Sequence, residues 1–196
     1  MGPAVYDRPM HDPSIPPTAT PSDAATPRVR VVAAVPGDWA RMRALRLAAL
    51  ADTPDAFSAT LAEERDQPDA FWRGRMEKRE VTTLRAELRG EDGAWRDVGL
   101  AVVAPSFDDP SLAGIYSVWV APDARGCGAG DALIAAAVAC AVAAGFGRVV
   151  LDVGDHNVAA IRLYERAGFR ATGRTLRLPP PREHLTEHEL ALDLAR

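Results

Sequence analysis

The segment Val118-Trp-Val-Ala-Pro-Asp-Ala-Arg-Gly-Cys-Gly-Ala-Gly130 joins a β-branched run to an alanine-rich run. This order predicts a strand, a glycine-rich turn and a helix that begins directly after the turn. Several backbone N–H groups would then lie at the positive end of a helix dipole, which is an anion site. Gly126, Gly128 and Gly130 allow the main chain to approach phosphate oxygens closely, and Arg125 adds a positive charge.

The residues on either side of this segment predict an α/β fold. We expect strands at 28–33, 81–88, 98–104, 114–120, 148–153, 169–178 and 187–194, and helices at 38–49, 68–78, 131–144 and 157–167. Asp38 is the predicted N-cap of the first helix. The strand–helix–strand unit from 114 to 153 requires a parallel crossover, so we expect a mixed sheet with helices on both faces.

Length and composition predict one domain with a proline-rich tail. The chain has 196 residues, and its first 27 contain seven prolines and almost no large apolar side chains. Such a segment cannot offset the entropy cost of becoming ordered. We therefore predict a flexible extension at 1–27 and a folded domain at 28–196.

Charge and cysteine usage exclude several classes of protein. The formal net charge is -4, so no basic excess indicates nucleic acid or an anionic membrane surface as a partner. The longest apolar run, 132–144, covers thirteen residues, which is too short for a membrane span. Cys127 and Cys140 lie outside any CxxC or zinc-ligand spacing, so no metal is expected. We expect a reduced, cytoplasmic protein that is a monomer or a homodimer.

Two common phosphate-binding motifs do not fit the glycine-rich turn. A nucleoside triphosphate loop requires Gly-Lys-Ser/Thr, but Asp131 and Ala132 follow Gly130. A dinucleotide fingerprint requires glycine at position 131. Asp131 suits the helix dipole but would repel a diphosphate if its carboxylate faced the loop, so we expect it to point away.

Three further stretches accompany the turn, namely Leu151-Asp-Val153, Asn157 and Leu163-Tyr-Glu-Arg-Ala-Gly-Phe169. With the Arg-x-x-Gly-x-Gly loop they resemble the GNAT superfamily of N-acetyltransferases, in element order over 28–194 and specifically at 114–177. The resemblance implies a mixed, mostly antiparallel central sheet with helices on both faces, which is the acyl-CoA-binding fold of that family. It also implies that the bound anion is the pyrophosphate of acetyl-CoA, the co-substrate.

The resemblance further implies which residues bind acetyl-CoA. Backbone groups at the end of the strand would pair with the pantetheine arm, and the loop amides would hold the pyrophosphate. The implied cofactor-binding residues are Val118, Trp119, Val120, Arg125, Gly126, Cys127, Gly128, Ala129, Gly130, Asn157 and Tyr164. Asn157 and Tyr164 are seven residues apart, so both lie on one face of the last helix. Asn157 is also a candidate N-cap of that helix, which is compatible with contact to the ligand.

Acetyl transfer to an amine requires a proton acceptor for the amine and a proton donor for the thiolate. A tyrosine can donate a proton, and the resemblance places Tyr164 where the family commonly keeps its general acid. Asp152 lies between two core-type residues and so points to the opposite face, where relatives often carry an acidic residue. Glu63 and Glu64 are rival bases, and an ordered water is the third alternative. Cys127 lies at the phosphate end, which disfavours a covalent acetyl-cysteine.

We therefore expect an enzyme that moves the acetyl group of acetyl-CoA to a primary amine of a small molecule or peptide by direct attack. A catalytically inactive acyl-CoA sensor or scaffold with the same fold is the alternative, and a phosphate-loop nucleotide binder is a third hypothesis. The acidic stretch from Glu63 to Asp69 would suit a cationic amine, although charge runs usually mark a solvated face.

Overall fold

The structure is a computed structural model that describes residues 28–177 and 183–194. The extension predicted at 1–27 lies outside the described residues and stays a prediction. None of the described helices is long and apolar enough to span a membrane. In the same two ranges, no group of three or more His, Cys, Asp or Glu side chains is arranged to hold a metal ion.

Seven strands form one sheet within the described ranges, in the order β1-β2-β3-β4-β5-β7-β6. They are β1 Val29–Ala33, β2 Thr82–Arg89, β3 Trp95–Pro105, β4 Ala113–Val120, β5 Arg148–Gly154, β6 Arg170–Arg177 and β7 Thr186–Asp193. Every neighbouring pair is antiparallel except β4 and β5. The predicted α/β fold with a mixed, mostly antiparallel sheet is confirmed.

Five α-helices belong to the described residues: α1 Trp39–Asp52, α2 Leu61–Arg65, α3 Asp69–Met76, α4 Ala129–Ala143 and α5 Val158–Arg166. The sequence predicted all of them except α2. This short helix begins with a capping box, in which the Thr60 hydroxyl accepts the N–H of Glu63 at 3.2 Å. The Glu63 carboxylate in turn accepts the N–H of Thr60 at 2.7 Å. The Thr-x-x-Glu spacing was therefore the signal for a helix that the apolar periodicity did not show.

The predicted N-cap position of Asp38 is confirmed. Asp38 occupies the N-cap position of α1, but its side chain makes no hydrogen bond to the helix. Its Oδ2 accepts the N–H of Val35 at 3.0 Å instead. The reason is the tight turn at Pro36–Asp38, which directs the carboxylate back toward the residue before the turn.

The helices lie on both faces of the sheet, as predicted. On one face, α4 packs across β1 to β4 and buries Leu133, Ile134, Ala137 and Ala141 almost completely. The alanines allow the helix axis to approach the strands closely. Tyr164 of α5 belongs to the same core.

The opposite face is covered by α1. Its apolar stripe contains Met42, Leu45 and Ala49, and it packs on Leu100 of β3 and Trp119 of β4. The sheet is therefore buried on both sides where β3 and β4 run together, and this fixes the end of β4 between two helical layers.

The parallel pair of strands is short. Only Ala113–Val149 and Gly114–Val150 are in register between β4 and β5, and beyond these positions the two strands separate. The edge of β4 that faces β5 therefore has no strand partner from residue 115 to 120 among the described residues. The crossover places the N-terminus of α4 and the whole of α5 beside this gap.

At Gly99 of β3, the neighbouring strand β4 and the helix α4 approach the backbone closely. A Cβ atom at this position would lie 2.7 Å from the carbonyl oxygen of Trp119 and 3.1 Å from Cδ1 of Leu133. We expect Gly99→Ala to lower the free energy of unfolding by about 1–3 kcal/mol, because strand or helix must move to admit the methyl group. Gly147→Ala is the control, since its Cβ would meet nothing within 4 Å. Urea unfolding of both variants measures the difference, and equal stabilities would contradict the packing described here.

Candidate active site

The loop after β4 presents unpaired backbone donors to solvent. Gly126 and Gly128 have φ of +80° and +88°, which is the left-handed region that glycine adopts without strain. Gly128 is the N-cap of α4 and offers no side chain. In the described part of the chain, the N–H groups of residues 126 to 130 have no backbone acceptor. Nothing lies within 4 Å of the Cβ positions of Gly126 and Gly128, so this face is open to an anion.

A cavity of ≈ 540 Å³, here called the loop cavity, lies between this loop, the end of β4 and α5. The predicted cofactor-binding residues that line it are Val118, Trp119, Val120, Arg125, Gly126, Gly128, Gly130, Asn157 and Tyr164. The side chains of Cys127 and Ala129 do not line it. Ala129 is buried in the core, and the Cys127 thiol donates to the carbonyl of Ala124 at 2.7 Å. These two residues therefore offer only main-chain groups to a ligand.

Arg125 is held by α1 rather than extended into solvent. Its guanidinium forms an ion pair with the carboxylate of Asp52, and its Nε donates to the carbonyl of Val120 at 3.1 Å. The same carboxylate accepts the indole N–H of Trp119 at 2.8 Å. Asp52 thus joins α1, the end of β4 and the start of the loop, which the sequence did not indicate.

Asp131, at the start of α4, is paired outside the loop. Its Oδ1 lies 2.9 Å from Nη2 of Arg166 on α5. Both residues stand at the rim of the loop cavity. The negative charge that would oppose a diphosphate is therefore balanced by an arginine.

A second cavity of ≈ 280 Å³, here called the cleft cavity, occupies the gap where β4 and β5 separate. It shares lining residues with the loop cavity, among them Val118, Asn157 and Tyr164, so the two cavities are adjacent. The Oδ1 of Asn157 accepts the N–H of Ala160 at 3.2 Å and caps α5, as the sequence allowed. This cap fixes the face of α5 that borders both cavities.

Tyr164 forms the common wall of the two cavities. It is 6% exposed, and its ring centroid lies 6.1 Å from that of Phe169. Burial raises the pKa of Tyr164 well above its ordinary value, so the phenol keeps its proton at neutral and moderately alkaline pH. No hydrogen-bond partner of its hydroxyl is found in residues 28–177 and 183–194.

Asp152 faces the cleft cavity from β5. Its neighbours Leu151 and Val153 are buried in the core, so the alternation of the strand directs the carboxylate to the opposite side. Although the residue is exposed overall, removal from water by the cleft walls raises the pKa of Asp152. The charge of Glu189 adds to this rise, whereas that of Arg174 opposes it.

Glu64, the other predicted base, lies elsewhere and is fully engaged. Its carboxylate accepts Nε and Nη2 of Arg46 at 3.0 and 3.2 Å, and Nη1 of Arg75 at 3.0 Å. Burial alone would raise the pKa of Glu64, but the two arginines outweigh it and the pKa is lowered. Glu63 is committed to the capping box at Thr60.

Arg46 and Ser117 are site residues that sequence reasoning missed. Nη1 of Arg46 donates to the Ser117 hydroxyl at 3.1 Å, and both residues line the cleft cavity. Arg46 lies on the buried face of α1, between Met42 and Ala49. A charged residue inside an apolar stripe was the available signal. No sequence pattern marks Ser117 as a site residue, because its conformation arises from the pairing of β3 and β4.

Ser117 marks a bulge in β4. It has φ of 56°, and it is the one non-glycine residue with positive φ in the described ranges. The register of β3 and β4 shifts here, from Val102–Tyr116 to Leu100–Trp119. A non-glycine residue in this region costs about 1–2 kcal/mol and persists only where its surroundings hold it. The hydrogen bond from Arg46 is such a restraint.

The sheet thus splits beside a glycine-rich loop, and Tyr164 lies at their junction. The model of the acetyltransferase (GNAT) family matches residues 46–169. The chain belongs to this family, and the resemblance seen in the sequence is confirmed.

Individual relatives agree with this assignment. Mycothiol acetyltransferase of Cellulomonas flavigena is 33% identical over 162 residues, which is 79% of this chain and 44% of that protein. The chain thus spans less than half the length of this relative. The structure of yncA from Salmonella typhimurium with its cofactor acetyl-CoA has a TM-score of 0.69 at 21% identity, over 86% of this chain and 95% of that chain. Spermidine N-acetyltransferase of Vibrio cholerae, solved with CoA and spermine, has a TM-score of 0.68 at 16% identity, over 85% and 95% of the two chains.

Two substitutions at Ser117 separate the backbone conformation from the hydrogen bond. Ser117→Ala and Ser117→Gly both remove the acceptor of Arg46, but only glycine adopts positive φ without strain. We expect the free energy of unfolding of Ser117→Ala to be about 1 kcal/mol lower than that of Ser117→Gly. We also expect the alanine variant to bind acetyl-CoA more weakly.

Denaturant unfolding and calorimetric titration with acetyl-CoA give the two quantities. If the two variants have the same free energy of unfolding and the same affinity for acetyl-CoA, the left-handed conformation at position 117 has no measurable cost. The Arg46 contact would then not be what maintains it.

Proposed function

We propose that this chain is an N-acetyltransferase that moves the acetyl group of acetyl-CoA to a primary amine by direct attack. One observation carries the proposal: the loop cavity and the cleft cavity meet at Tyr164, and Asp152 lies on the cleft side of that junction. A donor bound in the first cavity would therefore place its acyl end between a phenol and a carboxylate.

The residues around the loop cavity fit acetyl-CoA. The open N–H groups of 126 to 130 suit the pyrophosphate, since they lie at the N-terminus of the fifteen-residue helix α4. The unpaired edge of β4 at Val118 and Val120 suits the amide groups of the pantetheine arm. Arg125, held by Asp52, contributes by fixing the loop against β4.

Asp152 is the base that we propose. A carboxylate accepts a proton more readily when its pKa is raised, as that of Asp152 is, than when it is lowered, as that of Glu64 is. Glu64 also has both oxygens occupied by arginines. Asp152 takes the proton of the incoming ammonium, directly or through one water, and leaves a neutral amine.

Tyr164 is the acid that we propose. The amine nitrogen forms a bond to the carbonyl carbon of the thioester, and the bond from that carbon to sulfur breaks. Burial raises the pKa of Tyr164, so the phenol is protonated at neutral pH. The departing thiolate takes this phenolic proton. The nitrogen gives up its second proton to solvent as the amide forms, and solvent returns one proton to the Tyr164 phenolate and removes the one held by Asp152. Neither Cys127 nor Cys140 lines the cleft cavity, which supports transfer without an acetyl-cysteine.

Tyr164→Phe tests this role. The substitution removes the hydroxyl and keeps the ring packed against Phe169. We expect kcat for thiol release to fall by about 100-fold or more, while the Kd for acetyl-CoA and the melting temperature change little. A wild-type protein that binds acetyl-CoA but releases no thiol with any amine would instead indicate an acyl-CoA sensor.

Glu189→Gln tests the identity of the base. Removing this negative charge, and with it a partner of Arg174, lowers the pKa of Asp152. Because the base must be deprotonated, its active form then persists to lower pH. We expect the acidic limb of the kcat/KM profile to move to lower pH, and Asp152→Asn to abolish that limb.

Glu91→Gln, in the turn between β2 and β3, serves as the control for a change in net charge. An acidic limb that stays in place in Glu189→Gln would exclude Asp152 and return the role to Glu64 or to water.

A further inference from the structure

A third cavity, here called the helix cavity, lies between α1, α2, α3 and the sheet. It has a volume of ≈ 340 Å³ and adjoins the cleft cavity, with which it shares Arg46, Ser58, Phe107, Tyr116 and Ser117. An amine that reaches Asp152 from this side would leave the rest of its molecule in the helix cavity.

The helix cavity carries an excess of positive charge. Its described lining contains three cationic side chains, Arg46, Arg75 and Lys78, and a single carboxylate, Glu64. Glu64 is already bound by both arginines, and Arg75 remains 37% exposed. Lys78 has no ion-pair partner in the described ranges. The cationic side chains of the cavity can therefore bind a further anion, whereas its one carboxylate is already paired and cannot bind a further cation.

The acidic stretch that would suit a cationic amine supplies this cavity with Glu64 alone, and two arginines already pair with that carboxylate. Glu63 caps α2, and Asp69 lies 3.5 Å from Nη1 of Arg43 on the outer side of the helices. Neither residue lines the helix cavity. The structure therefore does not support the hypothesis that the acidic stretch from Glu63 to Asp69 binds a polyamine-like acceptor.

The remainder of the helix cavity is apolar. Its floor and walls include Trp39, Met42, Trp72, Met76, Leu100 and Val102. Phe107 stands at the entrance shared with the cleft cavity and is 86% exposed, which is unusual for a phenylalanine without a partner to cover it. Its ring lies 5.1 Å from that of Tyr116. These surfaces suit a hydrocarbon or aromatic body.

The two cavities also differ in the sign of their charge. The cleft cavity contains Asp152 and Glu187, whereas Arg75 and Lys78 line the helix cavity alone. A molecule that lies across both would carry its ammonium group at the cleft and a negative group at the helices.

We propose that the acceptor is an amine with an apolar body and a carboxylate, the carboxylate lying against Arg75 and Lys78. This rests on the proposed acetyltransferase activity, which it deepens by naming the substrate class. It also separates this chain from the spermidine N-acetyltransferase whose fold it shares.

The test compares amines that differ only in the carboxylate, with the full chain and acetyl-CoA. The pairs are 4-(aminomethyl)benzoate with 4-methylbenzylamine and 6-aminohexanoate with hexylamine, and spermidine is the polycationic probe. We expect at least one carboxylate-bearing acceptor to exceed its partner in kcat/KM by about 10- to 100-fold, and spermidine to be the poorest.

Lys78→Met should remove most of that preference by raising KM for the carboxylate-bearing acceptor more than KM for the plain amine. Arg79→Met is the matched control, because Arg79 is an exposed neighbouring cation outside the cavity lining. Equal loss of preference in the two variants would show a general charge effect and overturn the assignment to Lys78.

The outcomes distinguish the two proposals. If the plain amines or spermidine are acetylated as well as the carboxylates, the substrate class is wrong and the acetyltransferase activity stands. If acetyl-CoA binds and no amine of the panel is acetylated, the proposed activity fails and the substrate class fails with it.

Discussion

The buried ion pair between Arg46 and Glu64 joins the parts of the site that lie far apart in sequence. Two charges removed from water are stable only when each is fully paired, so this contact fixes where α1 and α2 lie relative to each other. The third donor of Arg46 reaches Ser117, which ties both helices to the bulge in β4. One guanidinium thereby sets the wall between the cleft cavity and the helix cavity.

The bulge and the short parallel pair act together on β4. Ser117 turns the strand where its register with β3 shifts, and β5 pairs with β4 only at Ala113 and Gly114. The far half of β4 is therefore held from one side by β3, while its other edge is left for a ligand. Because the crossover helix α4 starts soon after this half, the edge and the glycine-rich loop face the same space. A longer parallel ladder would close the gap.

The sequence predicted the elements that local chemistry determines and missed the contacts that tertiary packing creates. The glycine-rich turn, the alanine-rich helix and Asn157 as a cap follow from spacing, and the structure contains them. The positive φ of Ser117 results from a register shift between strands, which no local pattern encodes. The role of Glu64 depended on Arg46, eighteen residues away in the chain, so a composition-based reading took a neutralised carboxylate for a free one.

Glu64 and Asp152, both candidate bases from the sequence, lie in different environments. Glu64, between two arginines, stays ionised and holds structure, whereas Asp152 has a raised pKa and can exchange a proton. The same division bears on an incoming amine. Its ammonium form is favoured near Asp152 and Glu187 and disfavoured beside Arg46, Arg75 and Lys78. In the proposed mechanism the proton passes to Asp152, and the neutral amine is left facing a cationic wall that no longer repels it, so the charge distribution would favour the reactive form.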